Sequence, residues 1–597
     1  MSIQASVAER LDAVRRSMQK LDIQAFIVPH EDEHLGEYTA PADERLAWIT
    51  GFTGSAGVAV ILKDNAALFV DGRYTVQARQ QVAEEQFILL HLTQDPFIHW
   101  LLQQLPAGSR VGIDARLHSL DWYRKAAQTL ATAQISLHPL DENPIDLHWT
   151  ERPAPSSAPA RLFAEAIAGE SSQSKRQRIA AQLRAQSADA LLLTQNESIN
   201  WLLNIRGSDI PALPVVNAFA ILYSNATLDL FIEPSRLDSQ FSTHVGNDVS
   251  VYPSCKLSDV LQRLGEDALS VWLDSATTNA ACALQLQQHG AQLLDQPDPT
   301  LLAKACKNET EIAGMCEAHR KDALAMCHFL AWLDQSVGDG LQSDEAQLAE
   351  KLESFRQQQP GYLEPSFATI SALGPNAALP HYNFRNTTPR PFGLDGIYLV
   401  DSGGHYDEGT TDITRTVQVG EVSDEVRLLF TLVMKGHIAL SRAPFPKGTC
   451  GMQLDVLARL PLWQAGFNYD HGTGHGVGHV LSVHEGPQRI SPKGSMTPLE
   501  PGMVISNEPG YYREGAFGMR CENLVVVEPA AQIGETERYT FRNLTLVPFD
   551  KRLLLPELLT AEEKQWWNDY HRDVFLNLAP SLQGKELLWL EHATAAI

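Results

Sequence analysis

Residues 468–487 read NYDHGTGHGVGHVLSVHEGP, with His471, His475, His479 and His484 set among five glycines. How this stretch is read decides the fold. Histidines four apart on a helix are the geometry of an HExxH-type metal site. A helix is the wrong backbone here, because Gly472, Gly474, Gly476 and Gly478 would each cost it up to about 1 kcal/mol relative to alanine. An extended strand or glycine-rich loop puts His471, His475 and His479 on one face and the glycines on the other. Glycines so placed let another backbone or a substrate approach closely. One of these histidines is then a candidate metal ligand and others face a substrate. His484 lies beyond, on a separate short segment.

Acids that could join such a histidine lie on both sides of it. GIYLVDSGGHYDEGTTDITRTVQV (396–419) reads as two strands joined by a polar, glycine-containing turn. Asp401 closes the first, and Asp412 shares a face with Thr414, Thr416 and Gln418 in the second. For either aspartate alone the alternative is turn chemistry. PGMVISNEPGYY (501–512) puts Glu508 just after the apolar run Met503 to Ile505. GMRCENLVVVE (518–528) reads as a strand containing Glu522, with Arg520 on its face. A carboxylate there is costly unless paired or bound to metal, so an ion pair with Arg520 is the alternative for Glu522. Together Asp401, Asp412, His475, Glu508 and Glu522 make a hard, oxygen-rich set suited to Mn²⁺, Co²⁺ or Zn²⁺. Four negative charges balance two divalent cations, and two metals roughly 3.5–4 Å apart make a hydrolytic centre.

The totals bound the rest. A chain of 597 residues is long enough for several domains. Its 44% hydrophobic and 20% charged residues are those of a globular protein. A net charge of −25 argues against binding a phosphate backbone. It favours solubility, and secondarily a cationic group such as a peptide's amine. No run approaches the ~18 apolar residues of a membrane span, and MSIQASVAERLDAVRRSMQKLD is an amphipathic helix pattern without a signal peptide's apolar core. Seven cysteines from Cys255 to Cys521, none in CxxC pairs, fit a reducing compartment. Gly584-Lys585 is followed by Glu586, so it is no phosphate-binding loop.

The chain is organised as an α/β (α+β) protein. WITGFTGS (48–55) resembles WLLNIRGS (201–208), each after an apolar strand, AFIV at 25–28 or ALLL at 190–193, and before NAALFV (65–70) or NATLDLF (225–231). This weak repeat predicts two related α/β lobes, residues 1–155 and 161–304. TERPAPSSAPA (150–160) reads as the linker between them. A long helical pattern from about 305, then short strands with glycine-rich turns, predicts a third domain over 305–540. LLTAEEKQWWNDYHRDVFLNL, with a capping box at Thr560 and Glu563, predicts a helical extension over 541–597, packed on that domain by Trp566, Trp567 and Tyr570.

These segments resemble a known family. EYTAPADERLAWITGFTGSAG with VDGRYTVQA, NIRGSDIP, HGTGHGVGH, VHEGP, NEPGYY and GMRCENL are similar to segments of the pita-bread metallopeptidases, specifically the three-domain Xaa-Pro aminopeptidases (aminopeptidase P). The resemblance spans nearly the whole chain. It implies two N-terminal α/β lobes followed by a pita-bread catalytic domain. It implies Asp401, Asp412, His475, Glu508 and Glu522 as ligands of two metals, most simply Mn²⁺. It implies His381 (in PHYNF), His471 and His484 as substrate-side histidines, and a cytoplasmic homodimer joined through the C-terminal domain. The expected reaction is removal of the first residue from peptides with proline second. Glu508 is the expected proton shuttle, His484 or His381 the oxyanion donor, His471 a wall of the proline pocket, and Arg520 the residue that orients Glu522 and its neighbours. His381 is followed by Tyr-Asn-Phe, where relatives often have a proline. His479 has no role in the family pattern, and a structural place is expected for it. The rival activities are a prolidase-type dipeptidase with the same ligands and a non-catalytic pita-bread binding protein.

Overall fold

The computed structural model describes residues 5–393 and 396–597. Two six-stranded sheets carry the N-terminal half. In the first, Ala25–Pro29, Val58–Leu62, Ala66–Val70, Ile88–His91, Arg110–Ile113 and Ser136–Pro139 stand in the spatial order fourth, third, second, first, fifth, sixth. In the second, Ala190–Leu193, Phe219–Tyr223, Leu228–Phe231, Val249–Tyr252, Ser270–Leu273 and Gln292–Asp295 take the same order. Every parallel or antiparallel pairing matches as well. The repeat extends to single residues. The helix Arg45–Thr50 ends at Gly51 with φ 80°, and Asn196–Leu203 ends at Asn204 with φ 50°. These positions align in WITGFTGS and WLLNIRGS, and glycine and asparagine are the residues that tolerate a left-handed cap.

Apolar runs form these strands because each sheet is covered on both faces. In the first lobe Phe26 and Val28 pack with Leu11, Val14 and Met18, while Ala25 and Ile27 pack with Leu101 and Leu130. The lobes join through the caps of two helices, Leu120–Ala131 and Ala280–Gln288. There Leu120 N–H donates to Thr278 O at 3.0 Å and Ala280 N–H donates to His118 O at 2.8 Å. Residues 152–160 between the lobes carry neither helix nor strand. By compactness the chain divides in two: one unit holds both lobes up to Leu301, and the other runs from Leu302 to Ile597 with Ala166–Gly169.

The second unit opens on a 30-residue helix, Glu309–Gly338, started by an Asn308/Glu311 capping box. Its main sheet is antiparallel, in the order Phe445–Pro446, Arg538–Asn543, Asn523–Pro529, Val504–Asn507, Gly474–Gly476, Glu485–Ile490. A smaller sheet sets Ile397–Ser402 between Ile370–Leu373 and Ile413–Gln418. The capping box at Thr560 and Glu563 starts the helix Ala561–Leu578, whose Trp567, Tyr570 and Val574 sit in the core beside Phe430 and Phe549.

Three local expectations need correction. The segment between Asp401 and Asp412 is not a plain turn; it forms its own hairpin, Gly404–Tyr406 against Gly409–Thr410. The histidine stretch is strand only at Gly474–Gly476, because Gly478 N–H turns back to Ser482 O at 2.9 Å and Val480 takes φ 51°. Glu522 lies in the break between the strands Phe517–Arg520 and Asn523–Pro529, not inside a strand.

Candidate metal centre

The glycines of the stretch do what glycine in a strand allows. A Cβ on Gly474 would stand 1.9 Å from Ser506 O, and one on Gly476 would stand 2.4 Å from Glu485 O. His475 is thereby pressed between the Val504–Asn507 and Glu485–Ile490 strands. Its N–H donates to Ser506 Oγ at 2.9 Å, and its Nδ1 meets Gly476 O at 2.9 Å. A proton on Nδ1 leaves the lone pair on Nε2, and Nε2 faces Asp412 Oδ2 at 3.5 Å and Glu508 Oε1 at 3.4 Å.

The acids arrive from separate strand ends. Asp401 pairs across the small sheet with Thr414, and Asp412 immediately precedes that strand. Ligand atoms of Asp412, His475 and Glu522 all lie within 4.8 Å of one another. Glu522 accepts from Thr414 Oγ1 at 2.7 Å, and Glu508 accepts from Ser506 Oγ at 3.1 Å. Burial first, then Glu522, Asp401 and Glu508, push Asp412 well above the usual carboxylate range. Burial, then Asp401 and Glu508, do the same to Glu522. Glu508 is pushed up to about 7 by burial and Asp401, against the pull of Arg520 and His484. Asp401 Oδ1 is buried with no hydrogen-bond partner among the described residues. Crowded anions, a buried unpaired oxygen and an imidazole lone pair directed among them fit divalent cations.

The ion pair with Arg520, the alternative reading of Glu522, does not form. Arg520 Nη2 donates to Asp401 Oδ2 at 2.5 Å, and Nε donates to Thr414 Oγ1 at 3.0 Å. The Thr414 hydroxyl in turn donates a hydrogen bond to Glu522, so Arg520 orients Asp401 directly and Glu522 through one hydroxyl. Arg520 Nη1 also donates to Tyr512 Oη at 2.5 Å, and Tyr512 Oη meets His471 Nε2 at 2.9 Å. His471 Nδ1 meets Gly472 O at 2.7 Å, which makes Nε2 the acceptor and Tyr512 the donor. Tyr512 and Arg520 link His471 to the acids. His484 stands closer, its ring centroid 4.3 Å from that of His475. His381 is placed by its neighbour: Pro380 O accepts from Arg520 Nη2 at 3.3 Å. His479 faces away, its Nε2 on Glu408 O at 2.8 Å and its Nδ1 3.7 Å from Glu311.

Supporting residues lie behind this set. Lys304 and Lys307, both buried, hold the Glu485 carboxylate beside His484, with Lys304 at 2.7 Å. Arg415, fully buried, donates to Glu522 O, to Asn523 Oδ1 at 2.8 Å, to Val547 O at 2.6 Å and to Tyr570 Oη at 3.1 Å. Its guanidinium lies 3.9 Å from the Phe549 ring centroid. Sequence reasoning missed Thr414 as a link, Tyr512, Arg415 and the lysine pair. The Tyr following Asn-Glu-Pro-Gly-Tyr was the one visible signal among them.

On this fold, such a site defines a metallopeptidase. Residues 313–529 match the model of metallopeptidase family M24. Residues 10–145 and 151–311 match creatinase/prolidase N-terminal domains, and 537–597 match the C-terminal region of peptidase M24. A probable Xaa-Pro aminopeptidase P of Botryotinia fuckeliana is 39% identical over 98% of this chain and 92% of its own. Xaa-Pro aminopeptidase 1 of Dictyostelium discoideum is 36% identical over 98% of this chain and 96% of its own. The crystal structure of an X-prolyl aminopeptidase from Caenorhabditis elegans, described as a cytosolic enzyme with a di-nuclear active site, superposes with TM-score 0.95 at 33% identity, covering 99% of this chain and 100% of that one. A Xaa-Pro dipeptidase from Bacillus anthracis shares the fold over 64% of this chain and 99% of its own, with TM-score 0.51 and 23% identity. The chain belongs to metallopeptidase family M24, in its aminopeptidase P branch, with creatinase-type N-terminal lobes ahead of a pita-bread domain.

Proposed function

We propose that this chain removes the N-terminal residue from peptides with proline at position two, using two divalent metals, Mn²⁺ ahead of Co²⁺ or Zn²⁺, held by Asp401, Asp412, His475, Glu508 and Glu522. The observation that carries the reading is the convergence of His475 Nε2 with Asp412, Glu522 and Glu508, beside the unpaired oxygen of Asp401. When bound, the metals polarise the scissile carbonyl and lower the pKa of the attacking water. Glu508 takes the proton from that water and delivers it to the leaving proline nitrogen. His484 or His381 donates a hydrogen bond to the developing oxyanion. His471, fixed by Tyr512, walls the proline pocket. Arg520 holds Asp401 in place and, through Thr414, Glu522. Proline has no N–H after its peptide bond forms, so the pocket selects a ring and offers no partner for that nitrogen.

The domain limits that go with this reading are 1–155, 161–304, 305–540 and 541–597. Free cysteines, four of the seven buried, fit a cytoplasmic enzyme. No helix among the described residues is long and apolar enough to cross a membrane, and the net charge of −25 leaves nucleic acid an unfavourable partner. Association as a homodimer through the catalytic domain is supported by the helix Gly451–Gln464, whose exposed Met452, Val456, Leu460 and Trp463 share one face.

The test is metal-dependent hydrolysis of matched Xaa-Pro and Xaa-Ala tripeptides and of a Xaa-Pro dipeptide. Turnover of the Xaa-Pro tripeptide, restored best by Mn²⁺, is expected. Turnover of the dipeptide alone would make the chain a prolidase, and a metal-loaded protein that cleaves none of them would make it a binding protein.

A further inference from the structure

The loop that carries His381 is organised by one buried carboxylate. Glu345 opens the helix Glu345–Arg356 and has 0% exposure. It accepts hydrogen bonds from Leu373 N–H at 2.7 Å, Asn376 Nδ2 at 3.0 Å, Tyr382 Oη at 2.6 Å and Arg390 N–H at 2.8 Å. Its main chain is engaged as well: Glu345 N–H donates to Arg390 O at 3.1 Å, and Glu345 O accepts from Ser371 Oγ at 2.6 Å. These partners stand before, within and after the segment 374–389, so a single side chain ties both ends of the loop and its middle. Burying an ionised carboxylate is costly unless donors surround it. Hydrogen bonds to a full charge are short and directional, and they fix the groups that make them.

The placement of these bonds gives the loop a purpose beyond its own folding. Tyr382 directly follows His381, is buried, and uses its hydroxyl on Glu345 while also meeting Asn376 Nδ2 and Thr387 Oγ1 at 3.0 Å. On the other side, Pro380 O accepts from Arg520, the same guanidinium that holds Asp401. His381 is thus flanked by two fixed neighbours, one tied to the acidic centre and one to Glu345.

We propose that Glu345 is a positioning residue for the reaction: through Tyr382 it fixes the backbone at His381 and so sets where that imidazole meets the substrate. This rests on the reading of His381 as a substrate-side group. Small displacements of such groups are expensive, because a misplacement of about 1 Å can cost ~10²-fold in rate. Tyr382→Phe removes the hydroxyl that joins Glu345, Asn376 and Thr387 and keeps the aromatic ring in its place. It lowers kcat by about tenfold with KM within about twofold, at unchanged metal content, with a lowered Tm that reflects the lost donor to a buried carboxylate. Glu345→Gln, which keeps volume but faces donors with an amide, has a larger effect of the same kind. Thr387→Val, which leaves the Glu345 bond intact, has none.

The deciding measurement is a double-mutant cycle with His381→Ala, read as kcat on a Xaa-Pro tripeptide with Mn²⁺-loaded enzyme. If Glu345 acts through His381, Tyr382→Phe changes kcat by less than about twofold once His381 is gone. An equal loss in both backgrounds, no loss in either, or an equal loss from Thr387→Val overturns the positioning role. Wild-type turnover by His381→Ala alone is a different failure: it removes the reading of His381, and the role of Glu345 falls with it. Should Glu345→Gln fail to fold, Tyr382→Phe decides the matter by itself.

Discussion

The two ends of one glycine-rich stretch, Gly474–Gly476 and the turn at 478–480, carry histidines four residues apart that do opposite things. His475 lies in a strand wedged between two others, and its Nε2 faces two carboxylates from different elements at 3.4 and 3.5 Å. His479 lies past the point where Val480 takes φ 51° and the chain turns back on itself. Its imidazole meets the Glu408 carbonyl and the edge of Glu311, an acid already engaged in capping the long helix. What separates ligand from tie is the set of groups across from the ring. Four crowded acids with one guanidinium donor among the described residues, Arg520 on Asp401, call for a metal; a carbonyl and a committed acid call only for a hydrogen bond.

The largest effects fall on the first end. Glu522→Gln keeps shape while removing a charge and one carboxylate oxygen, and His475→Ala removes the one nitrogen of the proposed ligand set. Each loses bound metal and more activity than the ~10²–10³-fold expected of an oxyanion donor, with circular dichroism unchanged. Full metal occupancy in either variant, by elemental analysis, would move it out of the ligand set. Next come His484→Ala and His381→Ala, which keep metal and lose kcat/KM by roughly 10²–10³; loss of metal in these would merge them with His475 and erase the distinction.

Metal removal sharpens the comparison in another way. In the stripped protein Asp412, Glu508 and Glu522 hold protons that the unfolded chain has already released, since their carboxyls are raised in the folded state. Stability contributed by raised groups is present below the usual carboxylate range and is lost as pH rises through the folded values, with Glu508 raised to about 7. The apparent Tm of the metal-free protein therefore falls between about pH 5 and pH 7.5, and Mn²⁺ removes that slope. Equal stability across this range would mean that the acids are less crowded than their placement implies. The smallest effect belongs to the second end. His479→Ala leaves turnover within a few-fold and costs about 1–3 kcal/mol of stability, the cost of stranding a buried polar partner, measured by denaturant unfolding. A His479 variant without metal would reverse the assignment of the two histidines.

Much of this was legible in sequence. The gathering of the five ligand candidates could be read because each acid ends or opens an apolar run, and strand ends converge. The twin lobes could be read because cap positions tolerate few residues, as Gly51 and Asn204 show. The face rule for strands misled at Arg520 and Glu522, because it holds only within a continuous strand and the chain breaks between them. The extended reading of 471–479 held for three residues and then met a turn that no periodicity marks. Glu345, Lys304 and Lys307 stayed hidden for a further reason. Their partners are 26 to 181 residues away, and a lone charged residue in a helical pattern reads as solvated surface.

The reach of Arg415 to Tyr570 governs when the chain can work during its own synthesis. Domains fold as they leave the ribosome, N-terminal parts first. Both lobes and every side chain of the acidic centre emerge well before Tyr570. Until that tyrosine arrives, the guanidinium that grips the Glu522 carbonyl lacks one of its holders, and Val547 lacks the hydroxyl that meets its own carbonyl at 2.7 Å. A nascent chain thus displays all its proposed ligands before it can hold them steady, and a helix that contributes none of them, made near the end of synthesis, completes their support.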